Sequence, residues 1–460
     1  MIERAYSLTT DLYEMTMAAA YFDNGINDRA IFELFVRRLP ENRSYLIAAG
    51  LEQALDYLSG LRFTADQIDY LRRHPSFKNV SSGFFEYLEG FSFTGDVWAM
   101  PEGTIAFPNE PILRVAAPII EAQIVETFLL ATINFQTLIA SKAARVVSAA
   151  AGRGVVEFGT RRAHGSEAGL FAARAAYISG CTGTSNVEAG HLFGIPTFGT
   201  LAHSFIMAFE NEDEAFRAFL NVFPRTATVL VDTYDTLSAV ERLARDFGPR
   251  IQAVRLDSGD LLDLSIRVRE LLDEAGMNKT TIFASSDLNE YRIKDLIERG
   301  ARIDSFGVGT ELATSADAPA LSGVYKLVGL EENGKVSMRI KMSKDKGTYP
   351  GPKQVWRLTG GDGKYASDLV TLADEASPLE QGEGEWRPLI SQVMNNGRTL
   401  KDQRGGLEAA RGRAAESLAR LPIRLLEIEG SASFQVEFSS GLRQERERVE
   451  REILSSMGRR

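Results

Sequence analysis

At 460 residues the chain is too long for one small core, and two or three packed units are expected. Its content of 44% hydrophobic and 25% charged residues is that of a globular protein and excludes a disordered or collagen-like chain. With 52 basic against 62 acidic residues the net charge is −10, a surface that repels nucleic acid and anionic lipid, so a phosphorylated ligand must be caught by local arginines and backbone amides.

The opening, MIERAYSLTTDLYEM, carries acids, lacks an apolar signal core and reads as helical. IFELFVRRL follows as a strand, residues 50–59 as a helix, and 91–115 as strands punctuated by glycine and proline. The apolar stretch 116–140 is interrupted by Glu121, Gln123 and Glu126, which predicts an amphipathic helix and no membrane span. A rhythm then sets in. GVVEFGT, AYISGCTGT, IPTFGT, ATVLVDT, IQAVRLDS, TTIFASSD and RIDSFGVGT are short strand-like runs, followed by helix-compatible stretches such as 236–247, 261–275 and 288–299. This alternation predicts parallel βα units closed into a (β/α) barrel, irregular because the unit at 190–200 is short. Beyond Val328 alternating residues and turn signals predict antiparallel sheet, and residues 444–460 a charged helix. The expected divisions are 1–125, 126–328 and 329–460. A single cysteine, Cys181, cannot form an internal disulfide or a cysteine-based zinc cluster. It suits a reducing compartment, so a soluble cytoplasmic protein is expected.

In a (β/α) barrel the chemistry gathers where strands end. Here successive strand ends carry Thr160, Arg161 and Arg162, then Gly183, Thr184, Ser185 and Asn186, then Gly199, Thr200, His203 and Ser204. Asp232 comes next, followed by Arg255, Asp257, Ser258, Gly259 and Asp260, by Ser285, Ser286 and Asp287, and by Gly307, Gly309 and Thr310. The arginines suit carboxylate or phosphate, although at a barrel mouth they also serve as plain ion-pair partners. Asp257, Asp260 and Asp287 suit Mg²⁺ or ribose hydroxyls, against the alternative of helix N-caps, a role that Asp287 fits well. Gly307-Val308-Gly309-Thr310 before a helix offers amides and a hydroxyl to a phosphate, or is simply a glycine-lined turn. Of four histidines, His203 stands out because it follows Gly199-Thr200 among these anion-binding candidates; His74, His164 and His191 read as structural and Cys181 as buried filler.

LTTDLYEMTMAAAYF, EFGTRRAHG, GTSNVEAG, GTLAHSF, VRLDSGDL, FASSD, DSFGVGTEL and GVYKLV, in this order from Leu8 to about Trp356, closely resemble the nicotinate phosphoribosyltransferase family. The resemblance implies an irregular α/β barrel of the type II phosphoribosyltransferase kind, and a second α+β domain built from both N- and C-terminal segments. It also implies a homodimer with shared active sites. Its implied reaction joins nicotinate to 5-phosphoribosyl 1-diphosphate, releases pyrophosphate, needs Mg²⁺, and is coupled to hydrolysis of the co-substrate ATP. Residue by residue, Tyr13 resembles the aromatic that reaches across the dimer to the pyridine ring, with Phe158 on the other face. Arg161 and Thr200 lie where the family contacts the ring and its carboxylate, with Ser185 beside them. Arg255 and Asp257 resemble the pair that grips the ribosyl donor and its metal. Gly309 and Thr310 resemble the 5-phosphate site. His203 matches the histidine that ATP phosphorylates, and Ser204, Ser286 and Asp287 join the substrate-binding set.

Three rivals remain at the level of sequence. A nicotinamide phosphoribosyltransferase shares the scaffold, but Ser185 stands where the amide-using enzymes resemble one another in carrying an acid. A quinolinate phosphoribosyltransferase would need more basic residues for two carboxylates and no phosphohistidine. A non-catalytic ligand-binding relative would not need every chemically competent residue in its motif.

Overall fold

The computed structural model describes residues 6–224, 226–332, 334–343, 347–378, 384–400 and 405–457. They fall into two compact units, one of Leu138–Pro319 and one that joins the residues up to Thr137 to those from Ala320 onward. The sequence pattern set its divisions near 125 and 328. The second bound moves because Gly323–Glu332 is a strand that pairs antiparallel with Arg29–Val36, which ties the residues after Ala320 to the N-terminal segment.

In the Leu138–Pro319 unit, Val155, Val156, Val254, Leu256, Ile282, Phe306 and Val308 are buried, the near-continuous apolar runs of strands covered on both faces. Six strands form one parallel sheet in the order Gly183–Thr184, Gly154–Glu157, Ser305–Val308, Thr281–Ala284, Ala253–Leu256, Thr228–Leu230. The first strand in the chain thus pairs with the last, which curls the sheet into the irregular barrel arrangement. Beyond Gly183–Thr184 it continues through a single bridge, Thr184 to Thr197, so IPTFGT contributes one residue pair where a full strand is expected.

Parallel strands joined by helices put all strand C-termini on one edge. The returning helices are Ser166–Ile178, Thr236–Asp246, Leu261–Glu274 and Glu290–Glu298, the last three capped by Asp235, Asp260 and Asn289. One expectation fails here. AYISGCTGT reads as a strand, yet Tyr177 and Ile178 finish the helix Ser166–Ile178, whose alanine-rich sequence carries strong helix propensity. Gly180, at φ +108°, ends it, Cys181 is buried in the turn, and only Gly183–Thr184 pairs.

The other unit is built from both ends of the chain. Its seven-stranded antiparallel sheet runs Lys335–Met338, Gly323–Glu332, Arg29–Val36, Pro111–Pro118, Asp96–Ala99, Ser391–Asn395, Arg398–Thr399. A four-stranded sheet, Glu385–Pro388, Lys353–Thr359, Tyr365–Leu372, Val436–Phe438, completes it. The amphipathic helix expected over 116–140 begins as the end of a strand, and its interrupting polar residues are buried, not solvated. Glu121 accepts the Thr94 N–H and hydroxyl, and Gln123 donates to Glu126 over 2.9 Å. The tail forms the helix Ser440–Met457; residues 458–460 of the predicted tail lie outside the described residues. Among the described residues no helix is long and apolar enough to cross a membrane.

Candidate active site

Each strand of the parallel sheet stops at a polar turn, and on one edge these turns meet around Arg255. This residue sits in Ala253–Leu256, and its guanidinium reaches the turn that ends its own strand, the turn after Thr281–Ala284 and the turn that carries Thr200. Nε donates to Ser285 Oγ over 2.9 Å, Nη1 to Thr200 Oγ1 over 2.7 Å, and Nη2 to Asp257 Oδ1 over 2.8 Å. The guanidinium carbon lies 5.9 Å from the centre of the Phe158 ring, which brings in a fourth strand end. Asp257 also accepts the Ser285 hydroxyl, and its Oδ2 is 3.9 Å from His203 Nε2. That separation is an ion-pair distance and not a hydrogen bond. His203 is held from its other side, with Nδ1 3.2 Å from the Thr233 hydroxyl. His203 and Asp257, predicted from widely separated segments, therefore share one end of the barrel, and both stay open to solvent at 41% and 29% side-chain exposure.

Asp232 ties this network to the next strand. Its Oδ2 accepts the Asp257 backbone N–H at 2.8 Å and the Ser258 hydroxyl at 2.7 Å, while its Oδ1 is buried without a hydrogen-bond partner among the described residues. An unsatisfied carboxylate oxygen beside a second carboxylate fits a hard divalent cation, since Mg²⁺ takes one or two carboxylates and completes its shell with water and substrate oxygens. Among the described residues no group of three acids, histidines or cysteines forms a metal cage. Asp260 serves as a helix cap, its Oδ1 accepting the N–H groups of Leu262 and Asp263.

On the other side of Arg255, Phe158 packs 5.4 Å from Phe283, and a Cβ at Gly307 would meet those two rings at 2.9 and 2.7 Å. Glycine is thus needed at the first position of the Gly-x-Gly turn for steric reasons. Gly309 and Thr310 follow, but the helix they open is a single turn, Thr310–Ala313, so the full helix dipole expected at a phosphate site is absent. Its first N–H groups still lack intrahelical acceptors. Arg161 lies in the short 3-10 turn Thr160–Arg162, exposed and with no hydrogen bond or ion pair among the described residues. Ser185 and Ser204 are likewise exposed at loop and helix starts.

Ser286 and Asp287 adopt left-handed backbone, φ 103° and 39°, where L-residues are rarely found. The strain is held by Arg292, whose Nη1 donates to the Ser286 carbonyl at 3.2 Å. The cap of the following helix is Asn289, which accepts the Arg292 N–H, so the N-cap alternative for Asp287 is not realised. The pattern had singled out neither Arg292 nor Asn289. Tyr13 belongs to the other unit, on the helix Leu12–Asp23, and is 47% exposed. Burial and the neighbouring Glu126 and Glu14 push its phenol up, and burial lifts the Glu14 carboxyl to about 7 against the hydrogen bonds from Thr10 and Thr127.

Comparison with known proteins gives this edge a lineage. Residues 8–134 match the family model of the nicotinate phosphoribosyltransferase N-terminal domain, and 139–319 that of the quinolinate phosphoribosyl transferase C-terminal domain. A nicotinate phosphoribosyltransferase of Mycobacterium tuberculosis is 47% identical over 428 residues, covering 92% of this chain and 89% of its own. Another, of Bacillus subtilis, is 47% identical over 379 residues, 80% of this chain and 76% of its own. The crystal structure of human nicotinic acid phosphoribosyltransferase superposes with a TM-score of 0.84 at 29% identity, over 95% of this chain and 99% of that one. That of the nicotinate-nucleotide pyrophosphorylase of Pyrococcus furiosus gives 0.73 at 25% identity, over 90% and 96%. With a curled parallel sheet, a second unit made from both chain ends, and near-half identity along most of its length, this chain is an enzyme of the nicotinate phosphoribosyltransferase family.

Proposed function

We propose that the enzyme joins nicotinate to 5-phosphoribosyl 1-diphosphate in NAD salvage. The ring nitrogen attacks C1 as the C1–O bond breaks, giving nicotinate mononucleotide and pyrophosphate. The observation that carries this reading is the convergence on Arg255, a cation beside an aromatic face on one side and an Asp–His pair on the other. A base that stacks and a leaving group that carries several negative charges need those two environments side by side.

In this reading Phe158 takes one face of the ring and Tyr13 of a second protomer in a homodimer takes the other. Arg161, exposed and unpaired among the described residues, receives the carboxylate. Ser185 beside it presents a hydroxyl where a carboxylate would repel nicotinate, which favours the acid over the amide. Arg255 and Thr200 stabilise the departing diphosphate. Asp257 and Asp232 would hold Mg²⁺, which when bound would neutralise charge on that leaving group. Ser286 and Asp287 face the ribose, and the free amides at Gly309 and Thr310 take the 5-phosphate. Carboxylates near C1 offset the positive charge that develops there. His203, between Thr233 and Asp257 with Ser204 next to it, accepts a phosphoryl group from ATP, which couples ATP hydrolysis to turnover.

Steady-state rates test this reading. The enzyme should release pyrophosphate with a higher kcat/KM on nicotinate than on nicotinamide, and ATP should stimulate it. His203→Ala should lose the coupled ATP hydrolysis and keep weak ATP-independent synthesis. An equal or higher kcat/KM on nicotinamide would overturn the substrate assignment, and full ATP stimulation of the variant would overturn the phosphohistidine.

A further inference from the structure

Glu157 ends the strand Gly154–Glu157, immediately before Phe158, and is completely buried. Among the described residues it has no cationic partner. A carboxylate in that position is costly unless its oxygens are bonded. Both are. One accepts the Gly159 N–H, and Oε2 accepts the Thr184 hydroxyl at 2.6 Å. Burial holds the carboxyl above the usual carboxylate range, against the lowering pull of these two bonds.

The bonds continue outward. Thr184 Oγ1 accepts the Asn186 N–H at 3.0 Å, and the Asn186 side chain donates to Thr160 Oγ1 at 3.1 Å while its own oxygen caps the next helix at Ala189. The Glu157 carbonyl accepts the Ser185 N–H at 2.9 Å. One buried side chain thus anchors two loops at once. The first runs through Phe158, Gly159, Thr160 and Arg161, the second through Thr184, Ser185 and Asn186. The Gly309 loop meets this assembly differently. It packs on Gly159 so closely that a Cβ there would lie 2.8 Å from the Gly309 carbonyl and 2.2 Å from the Ala313 Cβ, and its link to the first loop is the sheet bond from the Phe158 N–H to the Val308 carbonyl at 2.8 Å; among the described residues the side-chain bonds that start at Glu157 do not enter it.

We infer that Glu157, acting through Thr184, is a positioning residue for the pyridine-binding loops: it fixes the spacing of Phe158 and Arg161 against Ser185 without touching substrate. This rests on the proposed role of those three residues in binding the base. The inference predicts a split in KM. Glu157→Gln places an amide nitrogen in a site built for two acceptors, and Thr184→Val removes the bridging hydroxyl with little change in shape. Both variants should raise the KM for nicotinate about tenfold or more and leave that for 5-phosphoribosyl 1-diphosphate within about threefold, since small displacements of a positioned reactant carry large rate costs. Thr184→Ser, which keeps the hydroxyl, should restore the wild-type ratio of the two constants.

A merely structural role would lower the melting temperature and move both constants together, or neither; either result overturns the inference. If Glu157→Gln does not fold, the Thr184→Val and Thr184→Ser pair decides alone. If the wild-type enzyme prefers nicotinamide, the substrate reading fails, but the same split is then read on nicotinamide.

Discussion

Arg255 and Arg357 carry the same guanidinium into opposite surroundings. Arg357 is 2% exposed in the unit built from both chain ends. Its Nε bonds Asp368 at 2.8 Å with Nη2 on the other carboxylate oxygen, and its Nη1 donates to the Ile105 carbonyl at 3.0 Å. The rings of Tyr365 and Phe107 cover it at 4.8 and 5.3 Å. Arg255 also makes ion-pair and hydroxyl contacts, but its partners sit on separate turns at an open edge, and one of them, Asp257, faces a half-exposed histidine. A saturated, roofed-over arginine fixes a fold, whereas one that gathers loops at a solvent-facing edge fixes a site. Arg161, exposed and without a side-chain partner among the described residues, stands furthest toward the ligand-ready extreme.

The difference can be broken first on the structural side. Arg357→Ala leaves Asp368 and Glu110 buried without their cation and should cost roughly 3–5 kcal/mol of stability, read as a large drop in melting temperature. Arg255→Ala should do the reverse. It should lower kcat by about 100-fold or more and raise the KM for the ribosyl donor, with a small change in melting temperature. An unchanged kcat would remove Arg255 from the chemistry.

A smaller effect sharpens the same contrast. Burial first, and then the charge of Asp368, hold the Glu110 carboxyl well above the usual carboxylate range. A folded-state pKa above the unfolded one adds stability that is complete below the unfolded value and is lost as pH rises through the folded one. The wild-type melting temperature should therefore fall as pH rises from the usual carboxylate range toward the raised value of Glu110. Glu110→Gln, which can accept the Phe107 N–H and donate to Asp368, should flatten that slope. An equally steep fall in the variant would place the titration elsewhere.

Much of the site was legible in the sequence, for a physical reason. Strands buried on both faces read as apolar runs, and the abrupt change to Gly, Ser, Thr, Asp and Arg at each run's end marks the edge where backbone amides and polar side chains face water. That pattern led to His203, Thr200, Arg255 and Asp257, which the structure brings together. Its failures share a cause, since burial of a polar residue leaves no trace in a periodicity argument. Glu157 goes unremarked inside the strand-like run GVVEFGT and is sealed beneath the strand end. Glu121, Gln123 and Glu126 read as a solvated helix face and are buried. The left-handed backbone of Ser286 and Asp287 is equally hidden, because serine carries no signal for positive φ and aspartate, which tolerates it, serves far more often as a helix cap. Arg292, which supports that turn, lies six residues away in an ordinary helical pattern. The Tyr177–Ile178 pair misled because aromatic and β-branched residues suit a buried helix face as well as a strand.

On the proposed reading Arg161, an exposed cation without a side-chain partner among the described residues, recognises the substrate's charge. The ratio of kcat/KM on nicotinate to that on nicotinamide, compared between wild type and Arg161→Ala, measures it most directly. Loss of a charge-assisted hydrogen bond should lower the ratio about tenfold to a hundredfold, almost wholly through nicotinate. A ratio that stays where it was would show that the carboxylate is read by some other group.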